Sequence, residues 1–333
     1  MEYYFAPLEG ITGYVYRNAH HKFFPGTDRY YTPFVAPNYT MHFKAREKQD
    51  VDPVNNAGVP LVPQILSNKA DETLWAVEEL VQRGYEEVNL NLGCPMPTVA
   101  HKKKGSGLLK FTDELDAYLD GVFEGIAKRP AEAPPVRISV KTRLGTESTQ
   151  EAEGLVHIYN RYPISELIVH PRSREDMYRG VPDREAFLLV LQNSVNPVVY
   201  NGNLNCVEDV KEIAAACEAA GKPIKSVMMG RGFLADPSLA RQCQGGSLIS
   251  AKELGEFHEE LYWRLGETLP GTAVVLSHMK ELWFYMGQLF PGGAKCLKEI
   301  RRANNRAQYE GAVRVLLSSC RIERIGPGLK GDL

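Results

Sequence analysis

No apolar stretch in the 333-residue chain reaches the roughly 18 residues that a membrane-crossing helix needs. Cysteine is sparse and scattered, at positions 94, 206, 217, 243, 296 and 320, with no C-x-x-C pair and no His/Cys grouping at zinc spacing. That excludes finger and ribbon metal sites and offers no disulfide framework, so neither a metal nor a cystine is expected. The opening MEYYFAPLEG has no basic stretch ahead of an apolar one, so no secretory leader and a cytoplasmic location are expected. No repeat of solenoid period and no low-complexity tract occurs. A large charge of one sign is missing too: 39 Lys and Arg face 41 Asp and Glu, a net −2. A uniformly basic nucleic-acid coat is therefore excluded.

The small net charge hides an uneven distribution. From Phe290 to Leu333 nine Lys and Arg stand against four acids, which gives +5 and leaves −7 for the rest. A basic appendage on an acidic body suits a local phosphate-binding surface, although a solvated helix face accounts for it equally well.

Eight short β-rich runs recur: Tyr3–Ala6, Tyr30–Val35, Leu61–Leu66, Glu87–Leu92, Val136–Thr142, Glu166–His170, Pro197–Tyr200 and Ser226–Met229. Helical patterns lie between them. Over residues 71–83, Leu74, Val77, Leu80 and Val81 share a face before Gly84; over 207–220, Val210, Ile213 and Cys217 do so before Gly221. Eight strands alternating with helices over about 240 residues predict an α/β fold, a TIM (β/α)8 barrel, with a doubly wound open sheet as the alternative. After Gly245-Gly246 only helical spacing remains, in Leu254, Phe257, Leu261 and Leu265, then Val275, Met279, Leu282, Trp283 and Met286. The expected division is a barrel over 1–244 and a small C-terminal helical bundle over 245–333.

Barrel enzymes carry their sites at the C-terminal strand ends, and here seven of the eight strands hold a residue able to bind, donate or let a ligand approach. Pro7 follows the first strand and Gln64 lies in the third. Asn91 and Cys94 follow the fourth, Lys141 and Arg143 lie in the fifth, and His170 and Arg172 follow the sixth. Asn201-Gly202-Asn203 follows the seventh and Gly230-Arg231-Gly232 the eighth. The glycine turns after the last two strands suit a phosphate, to which Arg231 adds a guanidinium fork. Lys141 inside a strand is costly without an anionic partner. His170 alone reads equally well as a core histidine. The run His101-Lys102-Lys103-Lys104 would by itself be a solvated face, but close after Cys94 it is placed to meet a phosphate.

APLEGIT (6–12), VPQIL (62–66), NLNLGCP (89–95), SVKTRLG (139–145), VHPRSREDMYRG (169–180), NGNL (201–204) and MMGRG (228–232) follow one another. In that order they resemble the blocks of the tRNA-dihydrouridine synthase family. The resemblance implies a barrel carrying FMN, NADPH as reductant and a tRNA substrate bound partly by the helical tail; a monomer is expected. It implies that Pro7, Leu8 and Glu9 touch the flavin through backbone, Gln64 bonds the ring edge and Lys141 faces the pyrimidine portion. His170, Asn201, Gly202, Asn203, Gly230 and Arg231 would hold ring, ribityl chain and phosphate. Asn91 would lie between flavin and uridine, and Cys94 would be the proton donor. Lys102, Lys103, Lys104, Arg143 and Arg172 are expected on the tRNA side. Thr32-Pro33 stands where the family has Thr/Ser-Glu, His170-Pro171-Arg172-Ser173 replaces H-G-R-T, and Asn203 replaces an Asp. A barrel flavoenzyme acting on a small pyrimidine, like dihydroorotate dehydrogenases, and a non-catalytic RNA-binding relative are the alternatives.

Overall fold

The computed structural model describes residues 1–327; Lys330 and Asp332 of the charged tail lie outside them. Nine strand segments, all paired in parallel, form one sheet: β1 (Glu2–Phe5), β2 (Arg29–Tyr31), β3 (Leu61–Val62), β4 (Gln64–Ile65), β5 (Glu87–Leu92), β6 (Arg137–Gly145), β7 (Leu167–Ser173), β8 (Val198–Tyr200) and β9 (Ser226–Met229). β3 and β4 are halves of one strand broken at Pro63. Proline has no N–H to give the ladder; β3 pairs with β2, and β4 with β5 and, through a single bridge from Ile65, with Val35. The break is stitched locally: the Pro63 carbonyl accepts from Asn89 N–H at 2.9 Å, and Gln64 N–H donates to Thr32 Oγ1 at 2.9 Å. With β1 joined to β9 from Glu2↔Ser226 to Phe5↔Met229, the sheet closes into the eight-fold barrel.

The period of two divides each strand between two cores. Outward residues such as Phe5, Val88, Leu90, Val140, Val169 and Val227 join the large outer core with Val77, Leu80, Leu119, Val210 and Ile213 of the surrounding helices. Inward residues Tyr4, Ala6, Tyr31, Val62, Ile168, Val199 and Met228 form a separate, smaller cluster in the barrel. Below it a charged floor closes the N-terminal end, where Arg29 pairs with Glu166 at 2.9 Å and Glu87 at 3.3 Å. The Tyr4 hydroxyl donates there to Glu2 and Glu166 at 2.6 and 2.9 Å. An apolar plug over an ion-paired floor leaves the opposite mouth as the place for a ligand.

Four helices follow the barrel: Ala251–Thr268, Thr272–Met286, Ala294–Arg302 and Arg306–Ser319. Ser250 caps the first by accepting from Glu253 N–H at 3.2 Å, with the Glu253 carboxylate returning to Ser250 N–H at 2.9 Å. Leu254, Phe257 and Leu261 form its buried face, and Val275, Met279, Leu282, Trp283 and Met286 that of the second. Within the bundle, Trp283 Nε1 donates to the Tyr309 hydroxyl at 2.9 Å, and the same hydroxyl is hydrogen-bonded to His258 Nε2 at 2.8 Å. Phe257 packs back on the barrel's first helix, Tyr14–Phe23, and the residue after it, with ring centroids 5.8 Å from Tyr16 and 5.0 Å from Phe24. Among the described residues no helix is long and apolar enough to cross a membrane.

Candidate active site

At the C-terminal mouth the inward positions change from apolar to polar. A thread of amides runs across β4, β5 and β6, and its direction is dictated by backbone donors. Gly93 N–H and Cys94 N–H both donate to Asn91 Oδ1, at 3.1 and 2.9 Å. The Asn91 amino group must then donate, to Gln64 Oε1 at 2.7 Å. Gln64 Nε2 in turn donates to Asn89 Oδ1 at 2.8 Å, and Asn89 Nδ2 to Ser139 Oγ at 3.0 Å. Burial of all four side chains makes each of these bonds obligatory. The thread sets Asn91 and Gln64 rigidly beside the loop that carries Cys94.

That loop leaves β5 at Gly93-Cys94-Pro95. The Gly93 carbonyl accepts from Arg143 Nε at 3.0 Å. The Cys94 carbonyl accepts from Ser106 Oγ and Ser106 N–H at 2.8 and 3.0 Å. Burial raises the Cys94 pKa, against the pull of a Met96 backbone hydrogen bond, Arg143 and Lys141. The thiol is thus protonated at neutral pH and can give a proton away.

Beside it gathers a group of cations. Lys141 has no hydrogen bond or ion pair with any described residue, and burial, then Arg143, lower its pKa to about 7. His170 is held well below its ordinary pKa by burial and then by Arg143, Lys141, Arg172 and Arg231. The ring is neutral. Because a guanidinium only donates, Arg172 Nη1 at 3.2 Å makes His170 Nε2 the acceptor and leaves the proton on Nδ1. Four cations around one neutral histidine form a site built for an anion.

The loops after β8 and β9 continue it. Asn201 Nδ2 donates to the Met228 carbonyl at 2.8 Å, tying the two strand ends together. Asn203 Oδ1 accepts from Arg231 Nη2 at 2.8 Å and Arg172 Nη1 at 3.2 Å. A Cβ at Gly232 would come 2.0 Å from the Leu204 carbonyl, so only glycine lets these loops meet. After β1, Leu8 N–H donates to Thr12 Oγ1 at 2.8 Å, closing a turn in which Pro7 and Leu8 are half-buried and Glu9 is exposed.

Several expected residues take other positions. Arg143 and Arg172, expected on the tRNA side, are only 3% and 1% exposed. Arg143 Nη1 donates to the Ser173 and Met177 carbonyls at 2.8 and 2.6 Å. Arg172 Nε and Nη2 donate to Arg179 and Gly180 carbonyls at 2.9 and 2.6 Å. Both guanidinium groups are spent largely on carbonyls of the loop after β7, since an interior cation needs its donors satisfied. In the basic run, Lys103 pairs with Glu114 at 2.5 Å and Lys104 with Glu72 at 3.7 Å, while Lys102 is exposed. Three residues not singled out in the sequence join the site. Tyr178 is 45% exposed, with its ring 5.3 Å from the Arg143 guanidinium and 5.4 Å from that of Arg231. Asn89 carries the amide thread, with Asn91 two residues on as its available signal. Tyr285, from the second bundle helix, acts on Arg231: burial lowers that pKa, while Tyr178 and Tyr285 oppose the shift.

A family model described as "Dihydrouridine synthase (Dus)" matches residues 4–316. The chain is 30% identical over 246 residues to the tRNA-dihydrouridine(16) synthase of Neisseria meningitidis serogroup B, covering 71% of this chain and 69% of that protein. It is 29% identical over 279 residues to the tRNA-dihydrouridine(16) synthase of Pseudomonas syringae pv. tomato, covering 79% of each. To a probable tRNA-dihydrouridine synthase 1 of Synechocystis it is 29% identical over 294 residues, covering 85% of this chain and 73% of that protein.

Proposed function

This chain belongs to the dihydrouridine synthase family, and from that premise we propose that it reduces the 5,6 double bond of uridines in tRNA, with FMN bound in the barrel mouth, NADPH as reductant and Cys94 as proton donor. The observation that carries the reading is the pairing of a protonated thiol with a cluster of cations at one strand-end mouth.

The donor set fits FMN. Lys141, partnerless among the described residues, suits the negative pyrimidine edge of a reduced flavin. Arg231, with Asn203 and the backbone at Gly202 and Gly230, suits the phosphate. Gln64 and His170 would meet the ring, Asn201 would steady the strand ends beneath it, and Pro7, Leu8 and Glu9 would touch it through backbone. The flavin, when bound, supplies the hydride for uracil carbon 6. Cys94 then gives its proton to carbon 5, where negative charge develops. Asn91 holds the Cys94 amide and so places the thiol over the base. Arg143 and Arg172 act from within, by fixing the Cys94 loop and the loop after β7. Lys102, with Lys103 and Lys104 once their acidic partners yield, would meet tRNA phosphates. The exposed cations of the C-terminal helices, Arg301 and Arg302 among them, would hold the tRNA body. A stacked uridine cannot enter this mouth, so the base must leave its stack to react.

Stopped-flow flavin reoxidation by tRNA tests the assignment. Cys94→Ala should keep FMN and its reduction by NADPH, and lose tRNA-driven reoxidation by about 10²–10⁴-fold. Wild-type reoxidation in Cys94→Ala refutes the role of Cys94. Mapping dihydrouridine in tRNA from a deletion strain, beginning at position 16 because two of the relatives carry that number in their names, identifies the uridine.

A further inference from the structure

The amide thread explains how one side of the Cys94 backbone is held; the other side has its own device. The chain leaves Pro95, makes one short helix (Pro97–Ala100) and returns as a 3-10 turn, Gly105–Leu108, directly beneath Cys94. Ser106 is fully buried there and gives both its donors, Oγ–H at 2.8 Å and N–H at 3.0 Å, to the Cys94 carbonyl. Gly105 has φ +56°, and a Cβ on it would lie 2.8 Å from the same carbonyl oxygen. Gly107 likewise could not carry a Cβ, which would sit 2.3 Å from the Ala100 carbonyl. Two glycines thus let the turn approach closely enough for one serine to grip the carbonyl twice.

The residue after Cys94 is a proline, with fixed φ, and Ser106 supplies both the side-chain and the backbone hydrogen bond to the Cys94 carbonyl. With Asn91 on the preceding amide and Arg143 on the Gly93 carbonyl, Ser106 completes the restraint of both peptide groups flanking the thiol-bearing carbon. We infer that Ser106 is a positioning residue for proton transfer, fixing the Cys94 thiol through its carbonyl. The inference rests on Cys94 as proton donor. Misplacement of a reacting group by about 1 Å costs on the order of 10²-fold in rate. Removing the hydroxyl leaves the N–H bond in place, so Ser106→Ala should slow reoxidation by about 10–100-fold.

The experiment compares Ser106→Ala, Gly105→Ala and Cys94→Ala in the FMN-loaded protein. FMN content, flavin reduction by NADPH and the tRNA dissociation constant should be unchanged in Ser106→Ala. Reoxidation by tRNA should slow, and its solvent deuterium isotope effect should grow, because proton delivery becomes limiting. Gly105→Ala, which presses on the same carbonyl, should do the same, and Ser106→Cys, which keeps a weaker donor, should fall between. Wild-type reoxidation in Ser106→Ala, with Cys94→Ala slow, overturns the inference and leaves Cys94 standing. Wild-type reoxidation in Cys94→Ala overturns both. Loss of FMN in both Ser106→Ala and Gly105→Ala gives the turn an architectural role and overturns the positioning one.

Discussion

Replacing Lys141 by methionine removes an ammonium and keeps a side chain of similar length. In the protein without flavin, Lys141 titrates at about 7 against an ordinary 10.5. At about 1.4 kcal/mol per tenfold, that gap sets an upper bound of roughly 5 kcal/mol on the cost of keeping the charge. The side chain keeps some solvent contact, so we take about 2–4 kcal/mol after screening. Lys141→Met should therefore stabilise the apoprotein, by several degrees in Tm. The sign with pH is determined. Below about 7 lysine is charged in both the folded and unfolded chain and the full penalty applies. Between about 7 and 10.5 the unfolded chain binds the extra proton, so wild-type stability rises with pH. Above that window the penalty is gone. The Tm advantage of the variant should be widest at pH 6 and closed by about pH 10.5. Reduced FMN reverses the order, because its anionic ring edge satisfies the ammonium, and the variant should bind reduced FMN more weakly by about 10–100-fold. Differential scanning fluorimetry of apo protein and of protein loaded with reduced FMN, from pH 6 to about 11, measures all of this. An apo variant less stable than wild type, or an advantage that ignores pH, would refute the reasoning.

Gly232→Ala places a methyl group 2.0 Å from the Leu204 carbonyl and should cost about 1–3 kcal/mol by overpacking, with FMN lost before the fold in a urea titration followed by flavin fluorescence. Reversing Arg301 and Arg302 to glutamate, both exposed, should weaken tRNA binding and flatten its salt dependence, while FMN content stays constant; an unchanged salt slope would exclude these residues from the interface. Because burial raises the Cys94 pKa, single-turnover reoxidation by tRNA should stay level from about pH 6 to 8.5 and fall only beyond the ordinary thiol range; a fall beginning below pH 7 would contradict a buried acid. Phe257→Ala removes the ring against Tyr16 and Phe24 and should cost about 3–5 kcal/mol in denaturant unfolding.

The barrel was legible because parallel strands buried on both faces read as short apolar runs between amphipathic helices. All eight runs overlap strands, several of which extend past the expected ends, and the helical spacing of Leu254, Phe257 and Leu261 marks a buried face. What pattern could not show is that Leu61–Leu66 is two segments: proline interrupts the ladder, and tertiary bonds from Thr32 and Asn89 mend it. At the site, Lys141 was conspicuous because a strand lysine is expensive. Arg143 and Arg172 drew the same attention and were expected to face tRNA. Residue type announces a charge but not the carbonyls of residues 173–180 that consume it. Ser106 carried no signal at all, because a lone serine between glycines resembles any polar turn. Its place comes from a chain reversal twelve residues after Cys94, which spacing alone does not encode.

The seam between β1 and β9 has a consequence for how the chain must be made. Residues 2–5 pair with β2 along one edge, but the other edge finds its partner only in residues 226–229, and the first helix waits for Phe257 to cover Tyr16 and Phe24. At roughly 5–20 residues per second of synthesis, the N-terminal strand stands with one open edge for on the order of ten seconds or more. Its apolar neighbours are uncovered for the same interval. The barrel cannot be completed in instalments from the front; its first segment is among the last to be sealed. A nascent chain stalled between the seventh and eighth barrel strands should therefore be a strong client for holding chaperones, and release a few dozen residues later should end that dependence.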